Sequence, residues 1–248
     1  MSAPTLPIDP AACPPRPPGS VIAFEDVYLS FEDNAVLRGV SFQLPFGETK
    51  ALFGVAGAGK SAILKLALGL MRPDSGRITV LGNEVTQLPE QDLFPMRGRL
   101  GMVFQESALF DSLTVRENVA YRLMEEHGIY DDEIDGRVRE ALRFVELEQK
   151  IDLFPSELSG GMRRRVAIAR AIITQPELLL YDSPTGGLDP VTSNTIVELI
   201  MKQRDVYKTS SLLVTHRLQD AFTMATHQFD PKTNQMRNLP RGQYCEVP

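Results

Sequence analysis

The sequence has few cysteines and no long apolar run. Only two cysteines, Cys13 and Cys245, occur in 248 residues, too few for a disulfide scaffold, so we expect a reducing cytoplasmic environment. No apolar stretch approaches the roughly 18 residues needed to cross a bilayer, and the N-terminal region lacks a basic patch followed by an apolar segment. The chain is therefore expected neither to span a membrane nor to be secreted.

The sequence also lacks an excess of positive charge. There are 32 Asp and Glu against 26 Lys and Arg, which gives a formal net charge of −6. Because such a chain is not broadly attracted to phosphate backbones, no nucleic acid partner is expected. With 43% hydrophobic and 23% charged residues, the composition is that of a globular protein that can bury a full core.

The two ends of the chain differ from its middle. Residues 1–20 hold seven of the 18 prolines and are expected to form a disordered Pro-rich tail. Residues 226–248 are expected to form a C-terminal extension with a strand and a turn. Between them, β-favouring runs at 21–24, 27–31 and 40–44 predict an antiparallel β layer.

Strands and helices alternate along the rest of the chain. The pattern predicts strands at 49–53, 178–181 and 212–215, and a buried crossover helix at 61–70. Asp189 is placed to cap a further helix, with Pro190 at its first position. This alternation predicts an α/β fold with a mostly parallel sheet covered on both faces.

A helical subdomain is predicted within this alternation, at about residues 90–160. Thr114-Val-Arg-Glu117 forms a capping-box pattern that starts one helix. A second helix follows Asp131 and Asp132, with apolar residues at three- and four-residue spacing. The helical subdomain is therefore expected as an insertion into the α/β domain.

A phosphate-binding pattern occupies residues 54–61. The sequence Gly-Val-Ala-Gly-Ala-Gly-Lys-Ser matches G-x-x-x-x-G-K-[ST] between a predicted strand and a predicted helix. Backbone N–H groups of such a turn bind phosphates, Lys60 neutralises the β and γ oxygens, and the Ser61 hydroxyl ligates Mg²⁺. The alternative is a tight turn with a solvated lysine. The pattern predicts a P-loop NTPase that binds ATP and Mg²⁺ through Gly54, Val55, Ala56, Gly57, Ala58, Gly59, Lys60, Ser61 and Ala62.

A second candidate anion site lies at residues 158–162, Leu-Ser-Gly-Gly-Met. Ser159 can cap the helical stretch at 163–173 while the backbone N–H groups of Gly160 and Gly161 stay open. The alternative is an ordinary helix cap. Three arginines, 163–165, follow in the first turn, where positive charge opposes the helix dipole. A neighbouring anion would relieve that conflict, and solvated arginines are the other interpretation.

Taken together, these features resemble the ATP-binding-cassette (ABC) ATPases from about residue 21 to 225. The resemblance also includes the apolar strand before Asp182, the sequence Gly187-Leu188-Asp189, and His216 after a strand. It implies a RecA-like core with an N-terminal antiparallel β layer and an inserted helical subdomain. It further implies a head-to-tail dimer in which the 159–161 segment of one copy closes over the ATP of a second copy. Each chain would then hold half of each site.

The resemblance also implies roles for individual residues. Phe31 would stack on adenine, Gln105 would contact Mg²⁺ and the attacking water, and Asp182 would hold Mg²⁺ through water. His216 would reach the γ-phosphate, and Asp189 belongs to the nucleotide-binding set. The alternatives are a core strand residue for Phe31, a surface residue for Gln105, an ion-paired aspartate for Asp182 and a core histidine for His216. The implied metal ligands are Ser61, Gln105 and Asp182; the implied catalytic residues are Gln105, Asp182, Ser183 and His216.

Ser183 departs from the family pattern. The family places glutamate directly after the Asp182 position, and here the sequence reads Asp-Ser-Pro-Thr. A hydroxyl can orient water but is a poor proton acceptor at neutral pH, and general-base assistance is worth about 10² to 10⁴ in rate. We therefore expect slow hydrolysis, supported by water that Ser183, Gln105 and His216 position. The alternative is a non-hydrolysing, ATP-gated clamp or regulatory cassette.

Finer motifs resemble the ATPase subunits of bacterial MCE-type (Mla-like) phospholipid transport systems. They are Met162 with the three arginines after it, residues 101–115, and residues 215–222. The resemblance implies transmembrane permease subunits, a periplasmic MCE-domain lipid-binding protein, and a peripheral position on the cytoplasmic face of the bacterial inner membrane. A soluble ABC ATPase without a membrane partner is a further alternative.

Overall fold

A computed structural model describes residues 19–32, 34–125, 131–230 and 235–238. The first 18 residues, which make up most of the predicted tail, lie outside the described residues. The strands in the described ranges are β1 Ser20–Phe31, β2 Asn34–Pro45, β3 Thr49–Phe53, β4 Ser75–Val80, β5 Asn83–Glu84, β6 Leu100–Val103, β7 Leu178–Asp182, β8 Ser210–Thr215, β9 His227–Asp230 and β10 Gln235–Asn238. The helices there are α1 Lys60–Ala67, α2 Glu90–Gly98, α3 Val115–Glu125, α4 Asp131–Phe144, α5 Gly160–Ile172, α6 Pro190–Tyr207 and α7 Leu218–Thr226.

The central sheet is parallel, with strand order β3-β8-β7-β6. Its two central strands, β7 and β8, are buried on both faces. Leu179, Tyr181 and Leu213 belong to one apolar cluster. Their sequence neighbours on β7 and β8 belong to a second cluster, because side chains alternate between the faces of a strand. The predicted α/β class with a mostly parallel core is confirmed.

The predicted antiparallel layer is a second sheet, with order β2-β1-β4-β5. The strands predicted at 21–24 and 27–31 are one strand, β1. The separation was wrong because Asp26 forms an irregularity within the strand rather than a break, with φ 47°. The Ser41 hydroxyl accepts from the Asp26 N–H at 2.8 Å and donates to Asp26 Oδ1 at 3.2 Å, which stabilises the irregular backbone.

The region predicted as a helical subdomain contains α2, α3 and α4, but also one strand of the parallel sheet. The strand, β6, falls within the range predicted as helical, residues 90–160. It is a strand because it pairs with β7 along its whole length. Gly101 in β6 lets α5 approach closely, since a Cβ there would stand 2.5 Å from the Ala171 carbonyl oxygen. Four residues that include a glycine give too short an apolar pattern to predict a strand.

Three helices, α3, α5 and α6, begin directly after the capping residues that the sequence predicts. Glu117 accepts from the Thr114 N–H at 2.7 Å, and the Glu117 N–H donates to the Thr114 hydroxyl at 3.3 Å, which confirms the capping box at α3. Asp189 caps α6, and Pro190 is its first residue, as predicted. Ser159 caps α5, which begins at Gly160 rather than at residue 163. In the described ranges, no helix is both long and apolar enough to cross a membrane.

Candidate nucleotide-binding site

Four of the predicted site segments lie at the carboxyl ends of the four parallel strands. The turn at 54–60 follows β3, and His216 follows β8, whose Thr215 pairs with Phe53. Asp182 ends β7, next to Val214 of β8. Gln105 comes shortly after β6. Since ligands of open parallel sheets bind outside the carboxyl ends of the strands, the fold brings these four segments to one edge.

The turn after β3 has the backbone required of a phosphate cradle. Gly57 and Gly59 have φ of 80° and 81°, values that favour glycine, and Gly59 lies immediately before α1. A Cβ on Gly59 would stand 2.6 Å from Val36 Cγ1, so β2 leaves no room for a side chain there. The turn therefore requires glycine for two reasons, and it leads into a helix N-terminus, where backbone N–H groups bind anions.

Lys60 is held across this turn. Its ammonium group donates to the Gly54 carbonyl oxygen at 2.7 Å and to the Val55 carbonyl oxygen at 2.6 Å. An ammonium group has three donors, so these bonds use two of them. The positive charge is thus fixed over the turn rather than free in solvent, in contrast to the solvated-lysine alternative.

The hairpin of β1 and β2 places an aromatic ring beside the cradle region. Phe31 ends β1 opposite Asn34, and its ring is 50% exposed, which excludes the core-residue alternative. The same hairpin contributes Val36, which lies against Gly59. An exposed ring near a phosphate-binding turn can stack on a base. Adenine stacking by Phe31 stays a prediction.

The oxygen ligands at this edge fit Mg²⁺. Asp182 is partly buried at the end of β7, and Ser61 is exposed in the first turn of α1. Within the described ranges, no cluster of three or more His, Cys, Asp or Glu residues could hold a metal ion by itself. Mg²⁺ usually keeps several waters and binds one or two carboxylates together with substrate phosphates. One carboxylate and one hydroxyl suit a nucleotide-bound Mg²⁺.

Ser183 is fixed by its backbone. It is only 6% exposed and has φ 43°, a left-handed conformation that is uncommon for a residue with a side chain. Its N–H donates to the Val214 carbonyl oxygen at 2.8 Å, and its own carbonyl oxygen accepts from the Gly186 N–H at 2.9 Å. A Cβ on Gly186 would lie 3.5 Å from Ser183 Cβ and 3.7 Å from Gln105 Cγ. Ser183 and Gln105 therefore both lie close to Gly186.

His216 is exposed directly after β8, so the core-histidine alternative does not apply. The residue after it, Arg217, donates to the Ser193 hydroxyl at 2.6 Å and lies 3.7 Å from the carboxylate of Asp220. Asp220 also accepts a hydrogen bond from the buried hydroxyl of Thr185. This network joins the His216 segment to the turn after Asp182. No local pattern in the sequence indicates this network, because Thr185 and Ser193 are far from Arg217 and Asp220 in the chain.

The Ser159 segment contacts the turn before α6. The Ser159 hydroxyl accepts from the Met162 N–H at 3.2 Å. Gly160 is exposed, and a Cβ on it would have room, at 3.7 Å from Leu188 Cδ2. The backbone of Gly161 is not open, contrary to the prediction from the sequence. It is buried, and a Cβ there would stand 2.3 Å from Thr192 Cγ2. Close packing of α5 on α6 thus explains the second glycine.

The three arginines after this segment donate to carbonyl groups of the same chain. Arg163 donates to the Leu158 carbonyl oxygen at 2.6 Å and Arg165 to the Val145 carbonyl oxygen at 3.2 Å. Arg164 is buried and donates to the carbonyl oxygens of the Ser183 turn. Burial excludes the solvated interpretation for Arg164, and the charges of Glu106 and Asp182 act on it. For Arg163 and Arg165, which are only partly buried, a neighbouring anion and a solvated side chain both stay predictions. No local pattern in the sequence indicates the carbonyl groups that the three arginines contact.

Asp189 has a structural role at the start of α6. Its Oδ1 accepts from the Val191 and Thr192 N–H groups, each at 3.0 Å. Hydrogen bonding to Thr192, through its side chain first and then its backbone, lowers the pKa of Asp189. The carboxylate therefore stays charged at the helix N-terminus, where negative charge is favourable. Contact with nucleotide stays a prediction.

The profile of the ABC transporter family matches residues 37–186, which is more than half of the chain. The chain belongs to this family. A solved dimer of the ATP-binding cassette MJ0796 in a post-hydrolysis state, bound to ADP and Pi, has a TM-score of 0.76 and 27% identity, and the match covers 88% of this chain and 99% of that one. The fold is thus that of an ABC ATPase, whose cofactors are ATP and Mg²⁺.

Two curated relatives show how far the similarity extends. The chain is 41% identical to the chloroplastic protein TRIGALACTOSYLDIACYLGLYCEROL 3 of Arabidopsis thaliana, over 79% of this chain and 61% of that protein. It is 38% identical to the methionine import ATP-binding protein MetN of Bifidobacterium longum, over 80% of this chain and 51% of that protein. The matches span between half and two thirds of these relatives' lengths.

Proposed function

We propose that the chain is the ATP-binding and ATP-hydrolysing subunit of a membrane transporter. The single observation that carries this proposal is the arrangement at the carboxyl edge of the parallel sheet. There Lys60 is fixed over a glycine turn by the Gly54 and Val55 carbonyl groups. Asp182, Ser183 and His216 follow the two neighbouring strands of the same edge. This combination of a phosphate cradle, a carboxylate and groups that orient water suits phosphoryl transfer to water.

Each residue has a part in this reaction. The backbone N–H groups of the cradle and Lys60 bind the β- and γ-phosphates, and Ser61 and Asp182 would hold Mg²⁺, which neutralises charge on the phosphates. Gln105 and His216 orient the attacking water. Ser183, in place of a carboxylate, can orient this water but accepts its proton poorly, so hydrolysis is slow.

Two copies of the chain complete the site. Ser159 and Gly160 are exposed at the N-terminus of α5, where backbone N–H groups and the helix dipole favour an anion. In the proposed head-to-tail dimer, this segment meets the γ-phosphate bound by the other copy. The solved MJ0796 structure, which is dimeric, supports the proposal.

The proposed partner on the membrane side is a permease subunit, docked in an apolar groove of about 280 Å³. Exposed aromatic residues line the groove, including Phe104, Phe110 and Tyr121. The rings of Phe110 and Tyr121 lie 4.7 Å apart. Phe104 directly precedes Gln105, so a partner helix in the groove would contact the segment that leads to the attacking water.

For the cargo we propose phospholipid, carried with an MCE-domain lipid-binding partner. The Arabidopsis relative is named for a galactolipid and is 41% identical. The motifs at 101–115, 162–165 and 215–222, which resemble MCE-type ATPases, also support a lipid cargo. Methionine import is the second candidate, because the MetN relative is 38% identical. The proposed location is the cytoplasmic face of the inner membrane.

Membrane association tests the partner. Tagged wild-type chain produced in its native cell should remain with washed membranes, and Tyr121→Asp should release most of it. Phe94→Asp is the matched control, because Phe94 is an exposed aromatic that does not line the groove. Equal release of both variants, or a wild-type chain found only in the soluble fraction, would contradict a permease partner.

The same preparation tests the cargo. The complex is extracted in detergent, bound phospholipid is counted by mass spectrometry, and ATP hydrolysis is measured with added phospholipid or with L-methionine. Co-purified phospholipid and stimulation by phospholipid alone support the lipid proposal. Stimulation by L-methionine alone would overturn it in favour of amino-acid import.

A further inference from the structure

Arg164 lies between two segments of the site. It is in the second turn of α5, five residues after Ser159, and is only 4% exposed. One terminal guanidinium N–H donates to the Ser183 carbonyl oxygen at 3.1 Å, and the other terminal nitrogen donates to the Gly186 carbonyl oxygen at 3.4 Å. One side chain thus connects both ends of the turn that follows Asp182.

The turn depends on such external bonds. Ser183 has a left-handed backbone, which persists only where the surrounding structure fixes it. Besides Arg164, the backbone bonds to Val214 and Gly186 hold Ser183 in place. A guanidinium group is planar and rigid, so it can hold two carbonyl oxygens at a set separation. Lysine or glutamine could not reproduce that geometry.

Fold stability alone does not account for this arginine. Its Nε is buried and has no hydrogen-bond partner among the described residues. Burial lowers the pKa of Arg164, and the charges of Glu106 and Asp182 oppose that shift from a distance. In the part of the chain that the structure describes, no carboxylate lies within salt-bridge distance of it. A buried charge with neutral partners is costly, whereas an apolar side chain would be a cheaper way to fill this space.

We propose that Arg164 is a positioning residue that sets the location of Ser183 and couples it to the Ser159 segment through the first two turns of α5. The inference rests on the proposed ATP hydrolysis. Nucleotide that contacts Ser159 in the dimer would then act on the residue at the base position of the opposite site. Arg164 itself touches no substrate.

A double-mutant cycle on the full chain tests this proposal. Rates of ATP hydrolysis, kcat and KM, are measured for wild type, Arg164→Gln, Ser183→Glu and the double variant, together with ATP affinity and the melting temperature. Ser183→Glu restores a carboxylate and should raise kcat at least tenfold. In the Arg164→Gln background the gain should fall below threefold, with ATP affinity within threefold of wild type.

Arg165→Gln is the matched control, because Arg165 lies in the same helical turn but donates only to the Val145 carbonyl oxygen. In its background the gain from Ser183→Glu should stay at least tenfold. An equal gain in the Arg164→Gln and wild-type backgrounds would overturn the proposal. If Arg164→Gln fails to fold, Arg164→Lys takes its place in the cycle.

Failure of the proposed function would give a different result from failure of the positioning role. If Ser183→Glu gives no gain in any background, position 183 does not act on water, and that part of the proposed function is wrong. The positioning role of Arg164 in hydrolysis then falls with it. By contrast, an equal gain from Ser183→Glu in the Arg164→Gln and wild-type backgrounds overturns the positioning role alone and leaves the proposed function in place.

Discussion

The Thr185 hydroxyl donates a hydrogen bond to the Asp220 carboxylate inside the protein, and so links the turn after Asp182 to the helix after His216. Thr185 is fully buried and Asp220 is 4% exposed. Thr185→Val keeps the shape but removes the donor, which leaves a buried carboxylate under-satisfied. We expect a loss of about 1 to 3 kcal/mol in the free energy of unfolding, measured with urea.

Thr195→Val is the control for this prediction. Thr195 is only partly buried on α6 and donates to the Val191 carbonyl oxygen within its own helix, so the same substitution there should change stability by less than about 0.5 kcal/mol. Equal losses for the two variants would show that the buried bond to Asp220 contributes nothing specific.

Packing of α5 on α6 predicts that the two glycines after Ser159 differ in how well they tolerate a side chain. Gly161→Ala should lower the free energy of unfolding by about 1 to 3 kcal/mol, because the new Cβ would stand 2.3 Å from Thr192 Cγ2. Gly160→Ala should change it little, since its Cβ would meet ordinary contacts from 3.7 Å outward. Thr192→Ser removes the methyl group in question and should restore stability to Gly161→Ala. No rescue would contradict the packing explanation.

Lys60 should dominate ATP affinity. Lys60→Met removes a fixed charge at the phosphate turn, and a charged hydrogen bond is worth about 1.5 to 3 kcal/mol, so we expect affinity to fall by about 10- to 150-fold in equilibrium dialysis. Lys65→Met is the control, because Lys65 is exposed in the last turn of α1. Similar affinities for both variants would show that the turn does not bind phosphate.

The capping box at α3 predicts a pH-dependent contribution to stability. Hydrogen bonds from the Thr114 N–H and then from its hydroxyl lower the pKa of Glu117 below its ordinary value of 4.5. Because the folded pKa is depressed, the stabilisation is present above the unfolded pKa and is lost as pH falls through the folded pKa. Glu117→Ala should therefore be less stable than wild type at pH 7, and the difference should shrink below about pH 4.5.

Urea denaturation of both proteins between pH 7 and pH 3 measures this contribution. Glu125→Ala is the control, because Glu125 is exposed at the end of the same helix, where negative charge is not favourable. Its stability should run parallel to that of wild type over the whole range. A difference for Glu117→Ala that does not change with pH would mean that the carboxylate charge has no part in the cap.

Features set by neighbouring residues could be predicted from the sequence. The glycine turn around Lys60, the caps at Thr114 and Asp189, and three of the four parallel strands depend on short patterns, and the structure has all of them. Each of these features depends only on residues that are close together in the chain.

Contacts between distant segments could not be predicted. The partners of Arg164 lie 19 and 22 residues away, and Asp220 is 35 residues from Thr185. Nothing in the local pattern indicates which carbonyl group a buried arginine will meet. The short strand β6 and the irregularity at Asp26 were also missed, because pairing with neighbouring strands, rather than propensity, determines them.

The most direct test of the central claim mixes two inactive variants. Lys60→Met disables the phosphate turn, and Gly160→Phe fills the exposed face of the Ser159 segment. If the site forms between two copies, a mixed dimer has one site with both defects and one site with none. The mixture should therefore retain slowly hydrolysed ATPγS, up to one molecule per mixed dimer, while each variant alone retains almost none. A mixture that retains no more nucleotide than the two separate samples would contradict a site shared between two chains.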